Sequence, residues 1–495
     1  MNTLAPFFSF ANASKVSWAS VPVFSVTKLV RLTGEMIESG ARLCSWFGVP
    51  DPDHDGTILV AVLAMDAESI LGVARSEPVR GSYPSLTRKH PQAHLFEREV
   101  WEQHGLVPVG HPWLKPVRNT YGNAPANAPF FRVEGGEVHE VAVGPVHAGV
   151  IEPGHFRFQC AGEEVMHLEI ALGYQHRGIE EALAGGPHPA TICQMETISG
   201  DTTIAHATAH ASVMEALGGV EAPLRAQWLR AIALELERLA NHTGDMGALA
   251  MDVAFLPTSA ACGKIRGDFL NLTALICGNR FGRGLIRPGG CVHDLEFERL
   301  HTLTERLTTH MADVEQAMAW FWDAASVRVR FRNVGIVHPS QAMDIGLVGP
   351  AARACGLVRD VRFDHPAGWH RFSQAPVAVW PSGDIFARAR VRSLEVQRSG
   401  RYLLEQLEVP LDQELRVHLP APQPESLAVA LVEGWRGEVC HVALTDHFGH
   451  FRSYKVTDPS FHNWTGLALS LRGTAISDFP ICNKSFNLSY CGFDL

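Results

Sequence analysis

A run of residues dense in proline, asparagine and glycine divides this chain of 495 residues into two parts of unequal length. Its sequence, PVRNTYGNAPANAPFFRVEGG, extends from Pro116 to Gly136. This composition is typical of an extended connector rather than of a helix or a strand. We therefore predict a linker over residues 119–136, a domain over residues 1–118 before it and a second domain over residues 137–495 after it.

The shorter, first part is predicted to be a small α/β domain. An amphipathic helical pattern extends over Val26–Phe47, and the apolar run Thr57–Met65 is typical of a strand. A polar segment rich in arginine, histidine and glutamate follows. Both kinds of element are therefore expected before the connector.

The longer, second part is predicted to be mainly helical. Apolar and polar residues alternate over Glu137–Val143 and His155–Ala171, which predicts half-buried strands. After Pro223, apolar residues recur at three- and four-residue spacing, and the pattern returns over Asp294–Trp322 and Asp384–Leu407. The predicted fold class is thus α+β, with a small N-terminal α/β domain followed by a mainly α-helical bundle that carries a small β element.

Charge and cysteine content exclude several classes of protein. The chain has 42 Lys+Arg against 52 Asp+Glu and no basic block, so nucleic acid is not expected as a partner. The ten cysteines are scattered and no pair is spaced CxxC, which disfavours a secreted disulfide scaffold and a zinc ribbon. No apolar run reaches the roughly 20 residues of a membrane span, and the start lacks a secretory pattern. We expect a cytoplasmic chain that reaches a membrane only through a partner.

The segment VGPVHAGVIEPGHFRF, residues 143–158, is a glycine- and proline-rich turn between two predicted strands. It presents His147, Glu152 and His155. Desolvation of a glutamate in such a turn raises its pKa and would let it relay protons near neutral pH. The alternative is that all three are turn residues held by hydrogen bonds, which is the commoner situation.

Two further polar stretches precede or begin predicted helices. In LGYQHRGIEEAL, His176 and Glu180 are four residues apart and would share one helix face, as a metal pair or in an ordinary hydrogen bond. In ETISGDTTIAHATAHASVMEAL, Ser199 and Thr202 stand where hydroxyl groups cap helix N-termini, and His206 is expected to be a core histidine.

Several strings, in one order over residues 138–495, together resemble the large subunit of the membrane-bound [NiFe]-hydrogenases of the formate hydrogenlyase type. They include LGYQHRGIEEAL, LELERLANHTGDMGALAMDVAF, GNRFGRGLIRPGG, RDVRFDHPAG, EGWRGEV and DPSFHNW. That family is related to the quinone-site subunit of respiratory complex I. The string HLFEREVWEQHGLVPVGHPWLKPVRN, residues 94–119, resembles the smaller complex I subunit that some members carry fused in front. The resemblance implies a hydrogenase large-subunit fold.

The resemblance also implies where metals would be held. In the active hydrogenases two cysteine pairs hold the nickel and the iron, because soft thiolates bind both metals and can bridge them. The first pair falls on Ser199 and Thr202 in this sequence, and the second falls on Ser489 and Gly492, with Cys491 one residue away. Hydroxyl groups cannot replace bridging sulfur, so we predict no nickel–iron centre and no other metal site.

The complex I side of the resemblance implies a quinone-binding histidine and tyrosine, which fall on Ile151 and Gly200. The usual pair of quinone hydrogen-bond donors is therefore absent. Glu152 matches the proton-relay glutamate of the hydrogenases, and Arg436 matches the arginine that overhangs their metals. Buried together without a metal, these two would need each other or water. Further residues that match family positions are His147, His176, Arg177, Glu180, His206, Asn241, His242 and Asp494.

These matches imply a redox subunit of a membrane-associated complex. An iron–sulfur small subunit would deliver electrons, antiporter-like subunits would form the membrane arm, and a quinone or another acceptor would be reduced in the vacated pocket. The alternative is a non-catalytic scaffold of such a complex, and an active hydrogenase ranks third. The predicted catalytic residues are Glu152, Arg436, His147, His176, Arg177 and His206. The predicted pocket residues are Ile151, Ser199, Gly200, Thr202, Ser489 and Gly492.

Overall fold

The computed structural model describes residues 6–53, 55–118, 127–147, 151–409 and 413–495. It mixes helices with strands, so the predicted α+β class is confirmed. The strands are β1 (Phe8–Phe10), β2 (Ser14–Ser17), β3 (Val23–Phe24), β4 (Arg42–Pro50), β5 (Thr57–Met65), β6 (Ile70–Ser76), β7 (Ser82–Pro84), β8 (Val107–Val109), β9 (Val138–Val143), β10 (His155–Ala161), β11 (Glu164–Ala171), β12 (Ile286–Arg287), β13 (Gly290–Cys291), β14 (Ser426–Gly434), β15 (Gly437–Thr445) and β16 (Phe451–Thr457).

The helices lie mostly in the second part of the chain. They are α1 (Val26–Glu38), α2 (His94–His104), α3 (Ile179–Leu183), α4 (Thr191–Met195), α5 (Thr203–Gly218), α6 (Leu224–Asp252), α7 (Leu256–Cys277), α8 (Phe297–Asp323), α9 (Ala325–Phe331), α10 (Pro339–Asp344), α11 (Gly349–Arg353), α12 (Val361–Asp364), α13 (Ile385–Gln406), α14 (Pro459–Ser470), α15 (Phe479–Phe486) and α16 (Tyr490–Asp494). No helix in the described ranges has the length and apolar character needed to cross a bilayer.

A sheet in the order β1-β6-β5-β4 forms the centre of the N-terminal part, with β3 parallel to β6. The apolar run predicted as a strand is β5, which is buried along its whole length. Alternate side chains of β5 enter two different cores, with Leu59 and Leu63 in one and Val60 and Val62 in the other. A strand covered on both faces needs apolar residues at successive positions, which explains the unbroken run.

The helix predicted over Val26–Phe47 is only half right. Helix α1 ends at Glu38, and Gly40 with φ +101° turns the chain into strand β4. Trp46 and Phe47 of β4 then enter opposite cores, as neighbouring strand residues do. The apolar residues of β4 were mistaken for a continuation of the helical face.

The first part of the chain is joined to the sheet of the second part. Strand β2 pairs antiparallel with β14, and β14 continues through β15 to β16. An ion pair between Arg42 of β4 and Glu438 of β15, with N and O atoms 2.8 Å apart, lies in the same contact. Residues 119–126 of the predicted linker lie outside the described residues, while residues 127–136 contain no strand or α-helix. The domain boundary there stays a prediction.

Helices α6, α7, α8 and α13 form the bundle, with α6 packed against both α7 and α13. The helices predicted after Pro223, over Asp294–Trp322 and over Asp384–Leu407 are α6, α8 and α13, and the predicted strands after the connector are β9, β10 and β11. Asp384 caps α13, because its carboxylate accepts a hydrogen bond of 2.8 Å from the backbone N–H of Ala387. These predictions are confirmed.

A cluster of buried charges connects the bundle to β14. The guanidinium of Arg353 donates to Glu395 of α13 at 2.6 Å and to Glu433 of β14 at 2.8 Å. All three side chains are at most 2% exposed. Charges this deep in a protein are tolerated only when every member keeps its partner.

Replacing Arg353 with leucine should lower the free energy of unfolding by about 3–5 kcal/mol, because two buried carboxylates lose their cation. Arg31→Leu is the matched control, since Arg31 forms an exposed ion pair with Glu35 on α1. It should change the free energy by less than about 1 kcal/mol. Urea unfolding followed by circular dichroism measures both, and an equally small loss for the two variants would contradict the account.

Candidate functional site

Two segments nearly 300 residues apart in sequence meet at the candidate site. The loop before α5 contributes Ser199, and the cap of α16 contributes Ser489, with their Oγ atoms 3.0 Å apart. The turn between β14 and β15 brings Arg436 to the same place. The fold therefore brings together both predicted ligand segments and the predicted arginine.

The guanidinium of Arg436 occupies the centre of this meeting point. It donates two hydrogen bonds to the carboxylate of Asp201, at 2.5 and 2.8 Å, and one of 2.6 Å to the backbone oxygen of Asn487. Weaker bonds go to the hydroxyls of Ser199 at 3.3 Å and Thr202 at 3.1 Å. The Arg436 side chain is only 5% exposed, whereas the Asp201 side chain is 33% exposed.

Asp201 is the residue that the sequence analysis missed. It lies in TISGDT between the two positions where the first cysteine pair would fall. Burial favours a raised pKa for Asp201, but the charge of Arg436 and hydrogen bonds from Arg436, Ser199 and Thr202 outweigh burial and hold that pKa below its ordinary value. The signal available in the sequence was an acidic residue between the two positions where the resemblance places the first cysteine pair.

The hydroxyl groups near α5 do not act as predicted. Thr202 is the N-cap residue, yet its hydroxyl donates to Asp201 at 3.2 Å and caps nothing. The carboxylate of Glu237 on α6 instead accepts the free N–H groups of Ile204 at 2.7 Å and Ala205 at 3.4 Å. Burial raises the pKa of Glu237 to about 8, against the opposing effect of these bonds.

The residues at the predicted ligand positions do not fit a thiolate-bridged pair of metals. Ser199, Thr202 and Ser489 offer only hydroxyls, and Gly492 offers its backbone N–H, which donates to Ser489 at 2.9 Å. Within the described residues, no group of three or more His, Cys, Asp or Glu side chains could hold a metal ion.

Glu152 lies at the edge of the site rather than against Arg436. One of its carboxylate oxygens is 3.5 Å from the backbone N–H of Tyr490. Arg436 pairs with Asp201, so of the two expected partners of Arg436, Glu152 or water, the structure does not supply Glu152. His147 hydrogen-bonds through Nε2 to the backbone oxygen of Gly154 at 3.1 Å.

His176 and Glu180 do not share a helix face, so that prediction is wrong. Helix α3 begins at Ile179, and Gly178 with φ +65° separates the helix from His176. The ring of His176 bonds through Nδ1 to the backbone oxygen of Asp494 at 2.8 Å. Glu180 instead accepts the backbone N–H of Val456 at 3.0 Å.

Arg177 ties the two site segments together. Its guanidinium donates to the backbone oxygens of Thr197 at 2.8 Å, Ile198 at 2.9 Å and Cys491 at 3.2 Å. Gly200, which lies between these segments, is exposed. The role visible for Arg177 is therefore to position the backbone on both sides of the site.

His206 is a buried histidine with two partners. Its Nε2 lies 3.0 Å from a carboxylate oxygen of Asp458, and its Nδ1 lies 3.0 Å from Nε2 of His441. His242 on α6 similarly bonds to Glu395 at 2.7 Å. Both histidines behave as hydrogen-bonded core residues.

A cavity of about 480 Å³ lies beside the site. His147, Ile151 and Tyr490 line it together with apolar residues that include Phe158. Asn487 also lines the cavity, and the same residue accepts from Arg436 and donates to Asp245 at 2.5 Å. Asn487 would therefore lie between a ligand in this cavity and the Arg436–Asp201 ion pair.

Two family models match the chain. The model described as "Respiratory-chain NADH dehydrogenase, 30 Kd subunit" matches residues 27–130, and the one described as "Respiratory-chain NADH dehydrogenase, 49 Kd subunit" matches residues 252–420. The chain carries both domains in one polypeptide. Asp201 and Arg436 lie outside both matched ranges, so the candidate site is built from flanking segments.

Curated relatives support the same fused architecture of two complex I domains. Formate hydrogenlyase subunit 5 of Escherichia coli (strain K12) is 27% identical, over 96% of this chain and 89% of that protein. Hydrogenase-4 component G of the same organism is 28% identical, over 82% of this chain and 75% of that protein. NADH-quinone oxidoreductase subunit 4 of Thermus thermophilus is 27% identical, over 69% of this chain and 90% of that protein. The predicted resemblance is confirmed.

Replacing Asp201 with asparagine should lower the free energy of unfolding by about 1–3 kcal/mol at pH 7, because buried Arg436 loses its counter-charge. Since the folded-state pKa of Asp201 is lowered, the wild-type advantage is fully present above the unfolded pKa of about 3.9. It should shrink as the pH falls through the folded pKa.

Urea unfolding at several pH values measures this difference. The matched control is Asp313→Asn, since Asp313 is exposed on α8 and should give a difference near zero. A wild-type advantage over Asp201→Asn that grows as the pH falls would contradict the assignment.

Proposed function

We propose that this chain is the redox subunit of a membrane-associated complex related to formate hydrogenlyase and NADH-quinone oxidoreductase, and that it works without a nickel–iron centre. The observation that carries the proposal is the Arg436–Asp201 ion pair, which lies where the two predicted ligand segments meet. A cation and a carboxylate held there by 2.5 and 2.8 Å hydrogen bonds neutralise each other. The fold is kept without thiolate ligands.

The cavity beside the ion pair supports a quinone as the electron acceptor. Its walls combine apolar residues such as Phe158 and Leu488 with a few polar groups, as sites for small molecules do. His147 and Tyr490 are two of the polar side chains that a quinone oxygen could meet there, and the lining also includes the charged residues Asp252 and Lys484. Glu152, which reaches the backbone of Tyr490, would supply the proton that reduction of the acceptor takes up.

The partners follow from the relatives, which are components or subunits by name. In this proposal an iron–sulfur small subunit delivers electrons to the cavity, and antiporter-like subunits of a membrane arm anchor the complex. The two complex I domains of the chain would then lie on the inner face of the membrane. Attachment through subunits agrees with the lack of a membrane-spanning helix among the described residues.

A non-catalytic scaffold is the second candidate, and one observation favours it. The hydrogen bonds of Arg436 go to Asp201, Ser199, Thr202 and the backbone of Asn487. A guanidinium engaged in this way has little left to offer a substrate. In this second candidate the site only holds the segments together, and the chain docks its partner subunits.

Replacing Glu152 with glutamine in the assembled complex decides between the two candidates. If Glu152 supplies protons, electron transfer from the iron–sulfur partner to a quinone should fall by about 10²-fold, the usual effect of losing a general acid. Glu181→Gln, on the exposed surface of α3, is the matched control and should keep the wild-type rate.

The rate is measured on complexes purified from membranes, with subunit content checked on each preparation. An unchanged rate in Glu152→Gln with all subunits present would contradict the redox proposal and favour the scaffold. Loss of subunits in Glu152→Gln alone would also favour the scaffold, because it would assign Glu152 to assembly.

A further inference from the structure

A second cavity, of about 110 Å³, lies away from the Arg436 site, between α5, α6 and the segment 361–370. Thr208 of α5 and Gln227 of α6 line one side of it. His365 and His370 line the other side, and Glu433 of β14 forms part of the wall. The proposed redox function uses none of these residues.

Polar atoms on these walls lack partners within the protein. Thr208 Oγ1, Gln227 Oε1, His365 Nδ1 and both ring nitrogens of His370 are buried and have no hydrogen-bond partner among the described residues. The Gln227 and His365 side chains are buried, with residue exposures of 6% and 1%. A buried polar atom without a partner destabilises a fold, so several of them in the walls of one cavity favour a ligand there.

The unpartnered atoms mix acceptors with donors. Nε2 of Gln227 donates to the backbone oxygen of Ala222 at 2.6 Å, so its Oε1 is left as an acceptor. Nε2 of His365 bonds to the carboxylate of Asp66 at 3.0 Å, so Nδ1 is the ring nitrogen without a partner among the described residues. Burial lowers the pKa of His370 to about 4, so at neutral pH its ring has one donor and one acceptor.

This mixture of hydrogen-bond donors and acceptors indicates which kind of ligand fits the cavity. A bound anion would need donors alone, and a bound cation would need acceptors alone. Water both donates and accepts, and about 110 Å³ exceeds the roughly 10–15 Å³ that one water molecule requires. Water molecules therefore match both the chemistry and the volume.

Glu433 is the ionisable group with which this water would exchange a proton. One carboxylate oxygen accepts from Arg353 at 2.8 Å and the other accepts from the backbone N–H of Val361 at 3.1 Å. Burial raises the pKa of Glu433 to about 7 despite the charge of Arg353. The other charged groups that act on it are Asp360, Arg238 and Arg362.

The cavity also has an exposed residue in its lining. Glu221 lines it, is exposed and forms an ion pair with Arg371. Gly368 lines it as well. The lining of the cavity thus includes both a buried carboxyl group and a surface carboxylate.

We propose that the second cavity holds a cluster of ordered water molecules through which Glu433 exchanges protons with bulk solvent. Glu433 is then a protonatable site inside the buried charge cluster of Arg353. No bond other than those to the proton changes: a proton leaves the carboxyl group, passes along hydrogen-bonded water and is released at the mouth beside Glu221. Uptake is the reverse.

Infrared spectroscopy of the whole chain tests this proposal through the carbonyl band of protonated carboxyl groups. Slightly below neutral pH, the wild type should show a buried carboxyl band that Glu433→Gln loses. In heavy water that band shifts as the proton exchanges. Ala231→Leu places an apolar side chain into the cavity wall and should slow the shift by about tenfold, because it displaces water.

Glu237 provides the internal control. It is a second buried carboxyl group with a pKa raised to about 8, and it does not line this cavity. Its band, identified by its loss in Glu237→Gln, should exchange at the same rate in the wild type and in Ala231→Leu. Thr208→Val removes one polar anchor with little change in volume, and it should also slow exchange at Glu433 if Ala231→Leu does not fold.

Two results would overturn the proposal. The first is a wild-type spectrum from which Glu433→Gln removes no carboxyl band. The second is an exchange rate at Glu433 that the folded cavity variant leaves unchanged, or that falls equally at Glu433 and Glu237.

Discussion

The ion pair between Arg436 and Asp201 is the interaction on which the candidate site depends. It joins the turn after β14 to the loop before α5. Arg436 also donates a hydrogen bond to the backbone oxygen of Asn487, just before the cap of α16. The Arg436 guanidinium is almost fully buried, so it requires a counter-charge. Asp201 supplies that charge in the space between the two segments where the family resemblance places metal ligands.

This pairing explains how a hydrogenase-like scaffold is kept without thiolate ligands. The hydroxyls of Ser199, Thr202 and Ser489 belong to the same hydrogen-bonded centre, which in the proposed function replaces a metal-binding one. The adjacent cavity, lined in part by His147 and Tyr490, remains available to a small acceptor molecule.

Periodicity was sufficient to predict the helices α6, α8 and α13, because each buries a regular apolar pattern, and an unbroken apolar run was sufficient to predict β5. Periodicity failed after Gly40, where apolar residues that enter two cores imitate one helical face. For the site, resemblance located Ser199 and Arg436 but missed Asp201. Pairing between residues 235 positions apart is a property of tertiary structure, which a single sequence does not display.

The most direct test of the account is an anomalous-difference map at the nickel absorption edge, from crystals of the chain or its complex grown anaerobically. The account predicts density for a guanidinium and a carboxylate joining Arg436 to Asp201, with no anomalous peak beside Ser199 and Ser489. Two heavy-atom peaks between these segments, with Arg436 turned away from Asp201, would contradict it.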